Sequence, residues 1–341
     1  MAKGSSFVSA ADRLRCEDAE RRLIVAKEMP FYVRFLDDSL GGILPNDLVL
    51  LGARTGSGKT ALASLIAQGN AANRKRVHYF ALEAEPNEIE RRIKYRSLVD
   101  AYYRSGRLGG RDRLCYRDWY RGLLDDILGD FVSNVEEDLA EKYRTLYTYY
   151  RGSAFSLADM EEVLREIYKQ TDLVILDHLQ YVDPSDGANE NQAYKQIVKR
   201  IRDIGLIIGV PILLIAHLRK RDRGQQTLVP DLDDFHGTSD ITKIATKCIL
   251  LSTGNPGDAR YIWPTYMHVP KDRMDGSTRN YIATMGFDLR LSGYEEQYAL
   301  GRDEGGKFVP LGRDLLPRWA VNAVGAPGIP DSRNQNEGSC Q

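Results

Sequence analysis

Residues 48–60 read Leu48-Val49-Leu50-Leu51-Gly52-Ala53-Arg54-Thr55-Gly56-Ser57-Gly58-Lys59-Thr60. Four apolar residues run into a glycine-rich loop that ends in Lys-Thr, and a helical pattern over 61–67 follows directly. Strand, loop and helix in that order are the setting of a P-loop. Its glycines let backbone N–H groups close around phosphate oxygens at the positive end of a helix. The cradle then comprises Gly52, Ala53, Arg54, Thr55, Gly56, Ser57, Gly58, Lys59 and Thr60. Lys59 is placed for the β- and γ-phosphates of a nucleoside triphosphate, and Thr60 for Mg²⁺. The strict pattern has glycine six positions before the lysine. Ala53 stands there and Gly52 lies one earlier, and alanine is small enough for the turn.

Working outward, short continuous apolar runs recur at 77–82, 173–176, 210–215 and 248–251. Continuous rather than alternating runs fit strands buried on both faces. Helical patterns separate them, including 156–169, with Ser156 as N-cap and Asp159 in the first turn, and 193–208. This predicts an α/β fold with a central, mostly parallel sheet. A late β-hairpin is expected from 266–270 and 281–287 around Gly276. A loose apolar stripe (Leu14, Ala19, Leu23, Ile24, Ala26) predicts an N-terminal helix over 10–27, stopped by Pro30, of a kind that docks on another subunit.

Residues 89–150 read as a helical insert rich in Arg and Tyr. Basic and aromatic residues interleaved in this way suit a nucleic-acid grip. Acids follow, however (Asp125, Asp126, Glu136, Glu137, Asp138), and a solvated face or a subunit contact is the plainer reading. The expected division is a linker or docking helix over 1–33, a motor domain over 34–292 and a C-terminal extension over 293–341. The Gly, Pro, Asn and Ser of 322–341 read as a disordered tail.

The chain has 341 residues, 43% of them hydrophobic, enough for a large core. With 47 Lys and Arg against 48 Asp and Glu the net charge is −1. Overall charge thus selects no partner, and nucleic-acid binding must rest on local patches. Cys16, Cys115, Cys248 and Cys340 are scattered without metal-ligand spacing, which fits a reducing compartment and excludes a zinc module. No run is long enough to span a bilayer, and residues 1–22 lack the apolar core of a signal peptide. A cytoplasmic protein is expected.

In a parallel sheet ligands sit beyond the carboxyl ends of the strands. The P-loop follows the first strand, Glu83 the second, Asp177 the third and His217 the fourth. Asp177, after four apolar residues, is the candidate acid that holds Mg²⁺ through water. Glu83 is the candidate base that orients the attacking water, with Glu85 as its rival. His217 is the candidate sensor of the γ-phosphate. His178 reads as a sheet-edge or supporting residue.

These residues resemble the RecA-like motor domain of the superfamily 4 ring helicases, the DnaB and Twinkle/T7-type group. The Gly-Ala-Arg-x-x-x-Gly-Lys-Thr loop and Leu82-Glu83 are similar to that family's motifs. So are Ile175-Leu176-Asp177-His178-Leu179-Gln180 and His217-Leu218-Arg219-Lys220. Asp234-Phe235-His236-Gly237-Thr238-Ser239 resembles a segment near the DNA, with His236 and Ser239 where the family has Arg and Gly. Lys271-Asp272-Arg273 resembles a Lys-x-Arg pair that acts across a subunit boundary. The match covers about residues 33–290.

The resemblance implies a RecA-like P-loop NTPase and a homo-oligomeric ring, hexameric in the family, with ATP and Mg²⁺ at each interface. Lys59, Thr60, Glu83, Asp177, Gln180 and His217 would come from one subunit. Lys271 and Arg273 would reach the neighbour's nucleotide. Single-stranded DNA would thread the pore past loops 183–192 and 219–226, touching Arg219, Lys220, Arg221, Arg223, Gly237 and Lys243. No primase or collar domain is seen ahead of the motor, so ring stability would rest on the N-terminal helix and the motor interface. Replication proteins are the expected partners. A RecA/RadA-type recombinase and a regulatory or loader ATPase remain as alternatives.

Overall fold

The computed structural model describes residues 8–152, 155–183, 190–219, 227–235, 239–255 and 261–321. Eleven strands form one sheet: β1 (Leu48–Ala53), β2 (Val77–Ala81), β3 (Leu146–Tyr150), β4 (Leu173–Asp177), β5 (Ile212–His217), β6 (Lys247–Thr253), β7 (Ile262–Asp272), β8 (Ile282–Asp288), β9 (Gly293–Tyr294), β10 (Ala299–Glu304) and β11 (Lys307–Pro310). The order across the sheet is β11-β10-β8-β7-β6-β1-β5-β4-β2-β3, with β9 paired to β8. The six strands from β6 to β3 are parallel. From β6 outward through β7, β8, β10 and β11 the pairing is antiparallel.

The apolar runs are continuous because both faces of the sheet are covered. Along β1, Val49 and Leu51 join one core cluster and Leu48 and Leu50 the other, as the period of two requires. The first cluster takes in Leu62, Ala63 and Ile66 of the helix Lys59–Ala72. The second takes in Met160 and Leu164 of Leu157–Ile167 and Ile197, Val198 and Ile201 of Glu190–Ile208. Each such side chain contributes on the order of 1.5–3 kcal/mol by leaving water. The expected N-cap at Ser156 is formed, its hydroxyl accepting from Asp159 N at 3.2 Å, and the Asp159 side chain accepts from Ser156 N in return to complete a capping box.

Two regions differ from expectation. Residues 89–150 are not helical throughout, because their last five residues form β3, which pairs with β2 at the parallel edge. The run Leu146-Tyr147-Thr148-Tyr149-Tyr150 is aromatic-rich and alternates in exposure, as suits an edge strand. The rest of the segment builds a small core of its own from Tyr95, Leu98, Val99, Tyr102, Leu114, Leu124, Leu128 and others. Many of its cations are engaged internally. Arg92 lies 4.9 Å from the Tyr116 ring centre and Arg111 4.7 Å from that of Tyr103, while Arg113 pairs with Asp126 at 2.7 Å. The arginine and tyrosine interleaving is thereby accounted for by local packing.

Beyond Gly293 the chain continues into the sheet. Gly305 and Gly306, at φ 64° and 83°, make the tight turn between β10 and β11, which is why glycines stand there. Trp319 packs on Phe35 and Tyr281, and Ala320 is fully buried. The tail expected over 322–341 lies outside the described residues.

The N-terminal helix runs Ala10–Val25, with Ser9 accepting from Asp12 N at 3.1 Å. None of its residues is buried, and Leu14 is 73% exposed. No helix among the described residues is long and apolar enough to cross a membrane.

Candidate nucleotide site

The parallel register lines up the strand ends that carry the chemistry. Ala53 is paired with His217, and Ala81 with Asp177. The loop after β1, the Glu83 segment after β2, Asp177 at the end of β4 and His217 at the end of β5 therefore share one edge.

Within the loop, Gly56 and Gly58 have φ of 80° and 86°, a region costly for any other residue, and Gly58 caps the helix Lys59–Ala72. Ala53 is the last residue of β1 and is fully buried. An extended position does not need glycine, which is why alanine serves there. Gly52 is glycine for a different reason. A Cβ on it would fall 2.4 Å from Phe235 Cζ and 3.0 Å from Leu218 Cδ2. Gly52→Ala should therefore destabilise by about 1–3 kcal/mol through overpacking. A lowered urea midpoint at unchanged slope would register this, and an unchanged midpoint would contradict the contact.

Lys59 folds back on its own loop. Its Nζ donates to the carbonyls of Ala53 and Arg54, each at 3.2 Å, and lies 3.2 Å from His217 Nδ1. Burial pulls its pKa down, while the Asp177 and Glu83 carboxylates work the other way. Asp177 is almost wholly buried. Its Oδ2 accepts from Thr60 Oγ1 and from Tyr79 OH, both at 2.8 Å. Its Oδ1 is buried with no hydrogen-bond partner. Burial raises this carboxyl above its usual range, and the two hydroxyls only partly offset that. A buried acid with one bare oxygen beside a threonine hydroxyl is the donor set a hard cation takes.

Glu83 Oε2 lies 3.0 Å from His178 Nε2 and 3.9 Å from His217 Nε2. Burial first, then the Asp177 charge, raises its pKa, with Lys59 opposing. Gln180 ties the edge together: its Oε1 accepts from His217 N at 3.3 Å and faces His178 Nδ1 at 2.9 Å. Burial, then the nearby His217, pushes His178 down to about 3, so its ring is neutral.

Lys59, Thr60, Glu83, Asp177, Gln180 and His217 are thus brought to one edge. Two further residues belong with them. His178, read from sequence as supporting, sits between Glu83 and His217. Tyr79 has no counterpart in the sequence reading, since a tyrosine inside a buried strand carries no sign of which side chain its hydroxyl will meet.

Lys271 and Arg273 are not at this edge. Asp272 pairs with Lys247, the first residue of β6. The pair therefore sits where the parallel strands begin, beside Val49, roughly 13 Å of strand from the end of β1 where the loop starts. Lys271 Nζ donates to the carbonyls of Thr242 and Lys243 at 2.6 and 3.0 Å, at the end of the helix Ser239–Ile244. Arg273 is exposed. Arg219 is exposed just beyond β5, and its N–H donates to Asp234 O at 2.7 Å. Lys243 is also exposed. Lys220, Arg221, Arg223 and Gly237, with most of loops 183–192 and 219–226, lie outside the described residues.

The chain matches the family described as DnaB-like helicase C terminal domain over residues 29–274, well over half its length. It belongs to that family. The RecA-like resemblance read from the motifs holds, and the matched span takes in the whole edge described above together with the Lys271–Arg273 segment. Among curated relatives, it is 24% identical over 219 residues to a probable plasmid replicative DNA helicase of Chlamydia muridarum, covering 63% of this chain and 45% of that one. It is 26% identical over 229 residues to the replicative DNA helicase DnaB of Mycoplasma pneumoniae, covering 63% and 44%. The chain thus spans about half the length of the curated relatives it matches. Solved structures share the DnaB-like fold. An isolated ATPase domain gives a TM-score of 0.67 at 15% identity, over 84% of this chain and 99% of that one. A DnaB-like replicative helicase, solved in a study of its interactions with primase, gives 0.66 at 16% identity over 86% and 68%.

Proposed function

We propose that this chain is an ATP-hydrolysing motor that moves along single-stranded DNA in replication, as a subunit of a homo-oligomeric, hexameric ring. The observation that carries the reading is the split placement of the charges. Lys59, Thr60, Glu83, Asp177 and His217 converge at one edge of the sheet, while Lys271 and Arg273 stand at the other. The latter pair cannot serve their own subunit's loop without crossing the sheet, but a neighbour's loop can be brought to them. Membership of the DnaB-like family supports the ring and the replication proteins as partners in the host cytoplasm.

ATP would lie in the loop, its phosphates meeting the N-terminus of the helix Lys59–Ala72 and the Lys59 ammonium. Thr60 and Asp177 would hold Mg²⁺, which when bound neutralises phosphate charge. Glu83 would orient the attacking water, and burial beside Asp177, which raises its pKa, makes its carboxylate the more basic. His217, already in contact with Lys59, would feel the arrival of a γ-phosphate when that ammonium leaves it. Gln180 would carry the change along the edge. Arg273, with Lys271 beside it, would complete the neighbour's site.

DNA would be contacted by Arg219, Lys220, Arg221 and Arg223, and by Gly237 and Lys243. A basic loop that grips phosphates gives binding without sequence preference. Neutralising Arg219, Lys220 and Arg221 together should weaken single-strand binding about equally for all sequences. Each lost contact should flatten the log–log salt slope by about 0.7. DNA-stimulated ATPase should fall while basal ATPase stays. Fluorescence anisotropy across a salt series tests this, and an unchanged affinity and slope would put the DNA path elsewhere.

A further inference from the structure

Glu83, His178 and His217 meet in a way that phosphate chemistry alone does not require. Hydrogen-bond accounting fixes the rings. Gln180 Oε1 accepts from His217 N and so needs a hydrogen from His178 Nδ1, which leaves His178 Nε2 a bare lone pair. Lys59 has only hydrogens to give, so His217 Nδ1 accepts and the ring proton sits on Nε2, which points at His178 Nε2 at 2.8 Å. That leaves the His178 lone pair also facing a carboxylate oxygen, Glu83 Oε2, at 3.0 Å. Two acceptors at that distance repel unless a proton or a metal ion lies between them.

The geometry of the three atoms suits a metal ion. Their separations of 2.8, 3.0 and 3.9 Å bracket the roughly 3.4 Å between ligand atoms of a tetrahedral zinc with bonds of about 2.0–2.2 Å, and shifts of about half an ångström in Glu83 and His217 would reach it. No other group of three such ligands is found among the described residues. Two imidazoles and one carboxylate form a borderline-soft set. They favour zinc-like ions over Mg²⁺, which takes oxygen donors such as Thr60 and Asp177.

We propose that Glu83, His178 and His217 form a site for one zinc-class divalent ion, distinct from the Thr60–Asp177 cation site, whose filling halts ATP turnover. The regulatory half rests on the function proposed above. The ion would tie up the carboxylate that orients water and the ring that contacts Lys59. Binding at His217 Nε2 moves the ring proton to Nδ1. That nitrogen then becomes a donor, and its hydrogen bond from Lys59 is lost. No proton is left over, and no redox partner is needed. His178 stays neutral throughout and needs no rearrangement, since Gln180 already holds it in the ligating tautomer.

The test is calorimetric titration of ZnCl₂ into the full chain without nucleotide or Mg²⁺. One ion per chain is expected. Glu83→Gln and His178→Asn should each weaken binding by at least about 10-fold, the lower end of what even supporting residues cost a metal site. Asp177→Asn should leave it unchanged, and Lys59→Ala should bind at least as tightly as the parent. Absence of a saturable site, or equal affinity in both ligand variants, overturns the proposal. If His178→Asn fails to fold, the half-exposed Glu83→Gln still decides. In a second arm, stoichiometric Zn²⁺ at saturating Mg-ATP should slow the parent and spare His178→Asn. Equal inhibition of the two would overturn the regulatory half. Hydrolysis without zinc binding would remove this site and leave the motor standing. Zinc binding without any hydrolysis would do the reverse for the motor and would also end the regulatory half.

Discussion

Lys59→Ala is expected to lower ATP turnover by at least about 10²–10³-fold, the loss typical when one preorganised donor to developing charge is removed. The loss should exceed that of any other single change at the loop, because among the described residues Lys59 is the one ammonium at the junction of the loop, His217 and the Asp177 carboxylate. The fold should survive. Lys59 is buried with a depressed pKa, so removing its charge also removes a desolvation cost, and its hydrogen bonds go to two loop carbonyls that can turn to water. Steady-state hydrolysis with a melting curve on the same sample separates the two effects. Near-normal turnover in a folded variant would remove the loop from the chemistry.

Arg273→Ala is expected to cost about 10³–10⁵ in turnover, the range of an arginine finger supplied by a neighbour. Its own loop should remain able to bind nucleotide, since Arg273 stands at the opposite end of β6 and β7 from the loop. Mixing it with Lys59→Ala subunits should restore part of the activity. A loop from the first variant and a finger from the second then meet at one intact interface. Mixed rings with no restored activity would withdraw the trans assignment.

The parts of the molecule legible in the sequence are those in which meaning is local. The glycine-rich turn after β1, the placement of Asp177 at the end of its apolar strand and the N-cap at Ser156 each depend on a few adjacent residues, and each stands where the sequence put it. The hairpin of β7 and β8 is likewise visible, although both strands extend past the apolar residues that announce them. What stays hidden depends on partners far along the chain. β3 is concealed because Leu146–Tyr150 follows a helical stretch rich in the same aromatics, and only its pairing with β2 makes it a strand. β10 and β11 are concealed because an antiparallel margin with solvent on one side reads as polar chain. The role of Tyr79 requires knowing that β2 and β4 are neighbours in a register that sets Ala81 beside Asp177. Gly52 reads as a loop glycine, yet its smallness serves Phe235, 183 positions further on.

The central claim is that ATP hydrolysis at this edge drives movement along single-stranded DNA. Unwinding of a forked duplex with a single-stranded tail, followed by strand-separation fluorescence with and without ATP, tests it most directly. The account predicts separation by the parent that requires ATP, with none by Lys59→Ala under the same conditions. ATP hydrolysis with no strand separation on forks of either polarity would contradict it and would favour a regulatory or loader ATPase built on the same fold.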